Sequence, residues 1–180
     1  MKRFSEYIRN KKIILFDVDD TLIHTTARIW IKKNGKLIKK ISNKEYNNYK
    51  LKSGEEFDFK EFEDPQLLDN ERLTKYWDTL VREYKKGTRI GIITARGDCN
   101  MIRRFILKKG IDIHKSLVFA TDDPKLGLSG TIQQRKTEVI SILYNRGYST
   151  FVFFDDNEGN LESAKALEKV FGIDVITIKV

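Results

Sequence analysis

Four apolar residues, Ile13-Ile14-Leu15-Phe16, run straight into Asp17-Val18-Asp19-Asp20-Thr21. An apolar run of strand length reads as a strand buried on both faces, and its abrupt end in acids delivers carboxylates to one edge of a sheet. Carboxylates held a few ångströms apart repel and raise one another's pKa unless a cation or a shared proton offsets them. A divalent-metal site is therefore the economical reading. A solvated Asp-rich turn is the competing one, and the rest of the chain has to decide between them.

Beyond residue 66 the chain alternates between two periodicities. Leu68, Leu73, Trp77, Leu80, Val81 and Tyr84 recur at helical spacing over 67–86, with Gly87 placed to close the helix. A strand follows over 89–94, Arg89 to Thr94. Asp98 is placed to cap a second helix that buries Met101, Ile102, Phe105 and Ile106 and stops at Gly110. A strand over 116–121 leads to a loop of turn formers at 122–130. Lys136 then opens a helix carrying Val139, Ile140, Ile142 and Leu143. The strand 150–154 breaks off into Asp155-Asp156-Asn157; a helix with Leu161, Ala164, Leu167 and Val170 and a strand over 175–180 complete the chain.

Strands alternating with helices predict an α/β fold, a doubly wound parallel sheet of about five strands with right-handed crossovers. In such sheets ligands lie beyond the carboxyl ends of the strands. Asp17, Asp19, Thr94 and Asp156 all fall at that edge, so four separate signals converge on one site.

The interval of about 27–66 breaks the pattern. Two β-leaning runs flank Asn34-Gly35, the strongest short hairpin signal because both turn positions need φ > 0. After the hairpin, Tyr46, Tyr49, Phe57, Phe59 and Phe62 are too many aromatics for a free linker. The expectation is one domain over 1–180, with a hairpin flap and a small ordered insertion, preceded by a polar lead-in helix or arm at 1–12.

With 180 residues, a third of them charged, the chain is long enough for a substantial core. Its net charge of +8 suits a phosphorylated or nucleic-acid partner, although lysines scattered in pairs also serve plain solvation. Cys99 is the single cysteine, so no intrachain disulfide forms. No apolar run approaches the roughly 20 residues of a membrane span, and residues 1–5 lack the apolar core of a signal peptide, so the reading is cytoplasmic. His24 and His114 are isolated, and Cys99 near Arg96 lacks the rest of a thiol-phosphatase loop; none of the three is read as catalytic.

Four separated motifs, Asp17-x-Asp19-x-Thr21, the strand-terminal Thr94, Lys136 at a helix start and Asp155-Asp156 after an apolar strand, occur in the order found in the haloacid dehalogenase (HAD) superfamily of Asp-nucleophile phosphatases. The chain resembles that family over nearly its whole length outside the insertion. The resemblance implies Mg²⁺, with Asp17 as nucleophile and ligand. It implies that Asp19 lends a backbone carbonyl to the metal while its side chain acts as acid and base, and that Asp156 completes the metal sphere with Asp155 in support. Thr94 would bind phosphoryl oxygens and Lys136 would stabilise the transferring group. Arg135 is the other candidate cation.

A full helical cap does not fit between the first two motifs, which leaves the site open to a nucleotide, a nucleic-acid end or a small phosphate ester. Arg28, shortly after the first motif, and Arg96, two residues after Thr94, resemble the arginines of the phosphatase domain of phage polynucleotide kinase–phosphatases. A guanidinium suits phosphate. The hairpin and the Tyr49–Glu56 stretch are similar to small phage-encoded HAD proteins. The implied activity is an Mg-dependent phosphomonoesterase, with a nucleotide or a nucleic-acid 3′-phosphate as the expected substrate. A non-catalytic module of the same fold, binding nucleic acid or a protein, is the alternative.

Overall fold

The computed structural model describes residues 11–180, so the lead-in expected at 1–12 lies outside the described residues except for Lys11 and Lys12, which extend the first strand. The described chain forms two compact units, one of residues 11–24 with 73–180 and one of residues 25–72. The first strand, β1 (Lys11–Phe16), belongs to the larger unit. No helix among the described residues is long and apolar enough to cross a membrane.

The smaller unit is a three-stranded antiparallel sheet of β2 (Ile29–Lys33), β3 (Lys36–Ile41) and β4 (Glu55–Asp58), in the order β3-β2-β4, with the one-turn helix α1 (Asn43–Tyr46) and α2 (Pro65–Asn70). The expected hairpin joins β2 to β3, its turn formed by Asn34 at φ 51° and Gly35 at φ 73°. Ile29, Ile31 and Ile41 are the buried centre of the unit, and Tyr46, Tyr49, Phe57 and Phe62 pack on them. The aromatics thus order the insertion as their number implied. β4 was hidden in the sequence by its acids; it pairs Glu55 and Glu56 opposite Lys33 and Lys32, where opposite charges favour the register.

The larger unit continues with α3 (Lys75–Lys85), β5 (Ile90–Thr94), α4 (Cys99–Lys108), β6 (Val118–Ala120), α5 (Ile132–Asn145), β7 (Tyr148–Asp155), α6 (Glu158–Phe171) and β8 (Asp174–Lys179). Its five-stranded sheet runs β8-β7-β1-β5-β6, all parallel, as the alternation of periods predicts. Ile13, Leu15, Phe16, Ile92, Ile93, Phe151 and Phe153 are fully buried in it, each large side chain stabilising by roughly 1.5–3 kcal/mol. The chain leaves β1 for β5 on one side and later returns to β7 on the other. The carboxyl ends of β1 and β7 therefore flank the point where strand order reverses, the usual crevice for a ligand.

Two helix boundaries differ from the sequence reading. The single helix expected over 67–86 is two, because Glu71 takes extended backbone and Thr74 caps α3 by accepting from the Tyr76 N–H at 3.1 Å. The helix expected to open at Lys136 begins at Ile132, where Thr131 and Gln134 form a reciprocal capping box. Lys136 therefore sits in the second turn of α5, and it points inward, 3 % exposed.

Candidate active site

Each strand end contributes what its sequence supplies. β1 stops at Phe16, and the next N–H, that of Asp17, still donates to the Phe154 carbonyl at 2.9 Å, so Asp17 is held against the end of β7. The stacked rings of Phe16 and Phe154 lie beneath, centroids 4.7 Å apart. Asp17 is buried, as is Asp155, the last residue of β7; Asp156 follows it, partly exposed. One carboxylate oxygen from each of Asp17, Asp155 and Asp156 falls within a group spanning no more than 4.8 Å.

Lys136 reaches into this cluster from α5. Its Nζ donates to Asp17 Oδ1 at 2.8 Å and to Asp155 Oδ2 at 2.7 Å. The other Asp155 oxygen accepts from the Asn157 N–H at 2.8 Å and from Asn160 Nδ2 at 2.9 Å. Asp155 is thus fastened on both sides and orients the lysine. Asn160 was missed in the sequence, although its place three residues into the turn after Asp155-Asp156-Asn157 is where a helix start can reach back to a strand end.

Three acids around one ammonium leave negative charge uncompensated, and the ionisation of the cluster reflects it. Burial, opposed by Lys136 and reinforced by Asp155, Asp156 and Asp19, pushes Asp17 well above the ordinary carboxylate range. Burial and the neighbouring Asp155 push Asp156 up to about 6. Burial works against a charged Lys136, yet the carboxylates of Asp17 and Asp155 outweigh it and hold the ammonium above its usual value. An all-oxygen donor set with surplus negative charge fits a hard divalent cation such as Mg²⁺.

Asp19 and Arg96 meet as a pair. Arg96 Nε donates to Asp19 Oδ2 at 2.9 Å and its Nη2 to Asp19 Oδ1 at 2.7 Å, with the Arg96 side chain 1 % exposed and that of Asp19 13 %. Thr94, fully buried at the end of β5, accepts from the Arg96 N–H at 3.4 Å. Asp20 takes left-handed backbone, φ 56°, a conformation that aspartate tolerates better than most residues.

Arg28 is an exposed residue of the smaller unit, its N–H donating to Glu61 at 2.8 Å. Arg135 Nη2 pairs with Asp122 at 2.7 Å, which leaves Lys136 as the cation inside the acid cluster. His24 is exposed, and His114 accepts from the Ser116 N–H at 3.2 Å as a local cap. The Cys99 thiol accepts from the Ala120 N–H at 3.2 Å, and burial raises its pKa, the opposite of an activated nucleophile.

No protein-family model matches the chain, and no curated protein matches it. Among solved structures it is similar to the HAD domain of effector protein Lem4 from Legionella pneumophila, with 16 % sequence identity and a TM-score of 0.51, over 96 % of this chain and 87 % of that one. The chain has the fold of a HAD domain. At that identity the likeness concerns the backbone, and the chemistry of the HAD-like crevice has to be argued from the carboxylates themselves.

Proposed function

We propose that the chain is a phosphomonoester hydrolase that works through an aspartyl-phosphate on Asp17. The observation that carries this reading is the Lys136 ammonium held between Asp17 and Asp155, beside Asp156, at the crevice where the strand order reverses. A carboxylate so placed is fixed in position for attack on phosphorus, and the ammonium beside it stabilises charge on the transferring group.

Asp17 attacks phosphorus, the bond from phosphorus to the leaving oxygen breaks, and a proton from Asp19 goes to that oxygen. Water then attacks the phosphorus, gives a proton to Asp19, and Asp17 is released as a carboxylate. The Thr94 hydroxyl serves the phosphoryl oxygens. Asp17 and Asp156, with the Asp19 carbonyl, would hold Mg²⁺, which supplies the positive charge that lets an anionic nucleophile approach a phosphate dianion.

For substrate we favour a phosphate on a nucleotide or at a nucleic-acid 3′ end, supported by the net charge of +8. The test is hydrolysis of a generic aryl phosphate and of 3′- and 5′-phosphorylated oligonucleotides, with and without Mg²⁺, by wild type and Asp17→Asn. Turnover that needs Mg²⁺ and vanishes in the variant supports the assignment. Salt-sensitive oligonucleotide binding that Asp17→Asn leaves intact, with no turnover of any ester, replaces it with a binding module.

A further inference from the structure

We infer that Arg96 is a positioning residue that acts through Asp19, and not a contact for the substrate phosphate as its place after Thr94 suggests. The inference rests on the hydrolase reading above and goes beyond it by giving the arginine a different partner and a different kinetic signature.

Two guanidinium nitrogens, Nε and Nη2, are spent on the two oxygens of one carboxylate, at 2.9 and 2.7 Å. Two parallel bonds fix the plane of the carboxylate as well as its distance, which a single ammonium cannot do. The arginine is itself held: its side chain is 1 % exposed and its N–H donates to Thr94 Oγ1 at 3.4 Å. The loop after β5 is tied to the turn after β6 as well, the Arg96 carbonyl accepting from the Asp122 N–H at 3.2 Å. Asp19 follows a strand end, makes an isolated bridge with Ile23 and precedes a residue with left-handed backbone. Side-chain clamping by Arg96 gives it the fixed orientation that proton transfer requires.

Clamping does not block that transfer. A carboxylate offers about four lone-pair directions, and the arginine takes one on each oxygen. Asp19 takes a proton from the attacking water, and the proton gained in one turnover is the one given to the leaving oxygen in the next, so the cycle balances without a further donor.

Leaving groups separate the two roles. An alkoxide departs only with a proton, so hydrolysis of an alkyl phosphate depends on Asp19 in the first step, whereas 2,4-dinitrophenolate departs without one. The parameter kcat/KM reports that first step. In Arg96→Lys, which keeps the charge and loses the fork, kcat/KM for an alkyl phosphate should fall about a hundredfold further than kcat/KM for 2,4-dinitrophenyl phosphate, the scale of general acid catalysis. In an Asp19→Asn background the same substitution should leave the ratio between the two esters unchanged, because the group it acts through is gone. Added guanidinium ion should restore part of the ratio in Arg96→Ala, a readout that a merely unfolded protein does not give. Equal losses on both esters, carried by KM, overturn the proposal in favour of a phosphate contact while the hydrolase reading stands. A wild-type protein inert toward both esters with Mg²⁺ overturns the two together.

Discussion

The Lys136 ammonium lies 2.8 Å from the Asp17 carboxylate, across a separation of 119 residues in the chain. The contact joins the second turn of α5 to the end of β1, so the order of the crevice and the stability of the fold share one ion pair. Replacing Lys136 by Met keeps much of the volume and removes the charge, leaving buried acids without their counterion. Loss of one partner of a buried pair costs about 3–5 kcal/mol. Lys136→Met is therefore expected to be strongly destabilised in EDTA, to recover stability when Mg²⁺ is added, and to lose turnover. A thermal melt in EDTA that matches wild type would show that the pair contributes nothing to the fold.

Asp156 supplies a pH dependence with a definite sign. Its folded pKa, about 6, stands above the ordinary 3.8. The folded state therefore binds its proton more tightly than the unfolded state does, and the contribution of this group to stability falls as pH rises from about 4 to 6 and stays low above that. Metal-free wild type should gain stability relative to Asp156→Asn on acidification from pH 7 to 5. Stabilisation by Mg²⁺ should weaken over the same interval, since the ligand must lose its proton to bind. Melting curves of both proteins at the two pH values, with and without Mg²⁺, give the comparison; parallel curves for wild type and variant would remove Asp156 from the cation site.

Much of this arrangement is legible in the sequence because strand and chemistry coincide there. β1 and β7 are apolar runs that stop at acids, and an alternating chain of this kind puts both stops at one edge. The partners of those acids are less legible. Nothing near Asp19 in sequence indicates that Arg96 takes both its oxygens, and the supporting place that the resemblance gives Asp155 beside Asp156 does not tell that Asn157, Asn160 and Lys136 fasten it. Helix starts were obscured where side-chain capping outcompetes the apolar pattern, as with Thr131 and Gln134 ahead of Lys136. In β4 the apolar signal is a single Phe57 among acids, and the Tyr49 hydroxyl and Lys52 N–H that hold the Glu55 carboxylate belong to no local pattern.

Two glycines separate backbone conformation from space. At Gly35 an added Cβ meets nothing within 4 Å, but φ is 73°, so Gly35→Ala should cost about 1 kcal/mol from the left-handed backbone alone. Gly91 in β5 is the reverse case: a Cβ there would stand 2.9 Å from Leu15 Cδ2, 3.2 Å from the Leu117 carbonyl and 3.3 Å from Ile13 Cδ1. Gly91→Ala crowds the fully buried centre of the sheet and should cost about 1–3 kcal/mol. Denaturant unfolding of the two variants tests the ordering. A Gly91→Ala protein as stable as wild type would mean that β5 can shift away from β1.

Glu61 is to the smaller unit what Lys136 is to the larger. Its carboxylate accepts from the Arg28 N–H at 2.8 Å, from Trp30 Nε1 at 2.6 Å and from Lys40 Nζ at 2.8 Å. Lys40 and Lys60 also stand over the Trp30 ring, 4.3 and 3.2 Å from its centroid. The donors hold the Glu61 carboxyl below its usual pKa even though burial opposes ionisation. Glu61→Ala leaves three donors to find water, at a cost of about 1–3 kcal/mol for a hydrogen-bonded charge. Glu61→Gln keeps the shape and one acceptor and should cost less. Because the indole N–H loses its carboxylate in either variant, Trp30 fluorescence should change at concentrations of denaturant where the far-ultraviolet spectrum is still native. Fluorescence and stability both indistinguishable from wild type in Glu61→Ala would show that the aromatic cluster around Phe57, and not this carboxylate, holds the hairpin in place.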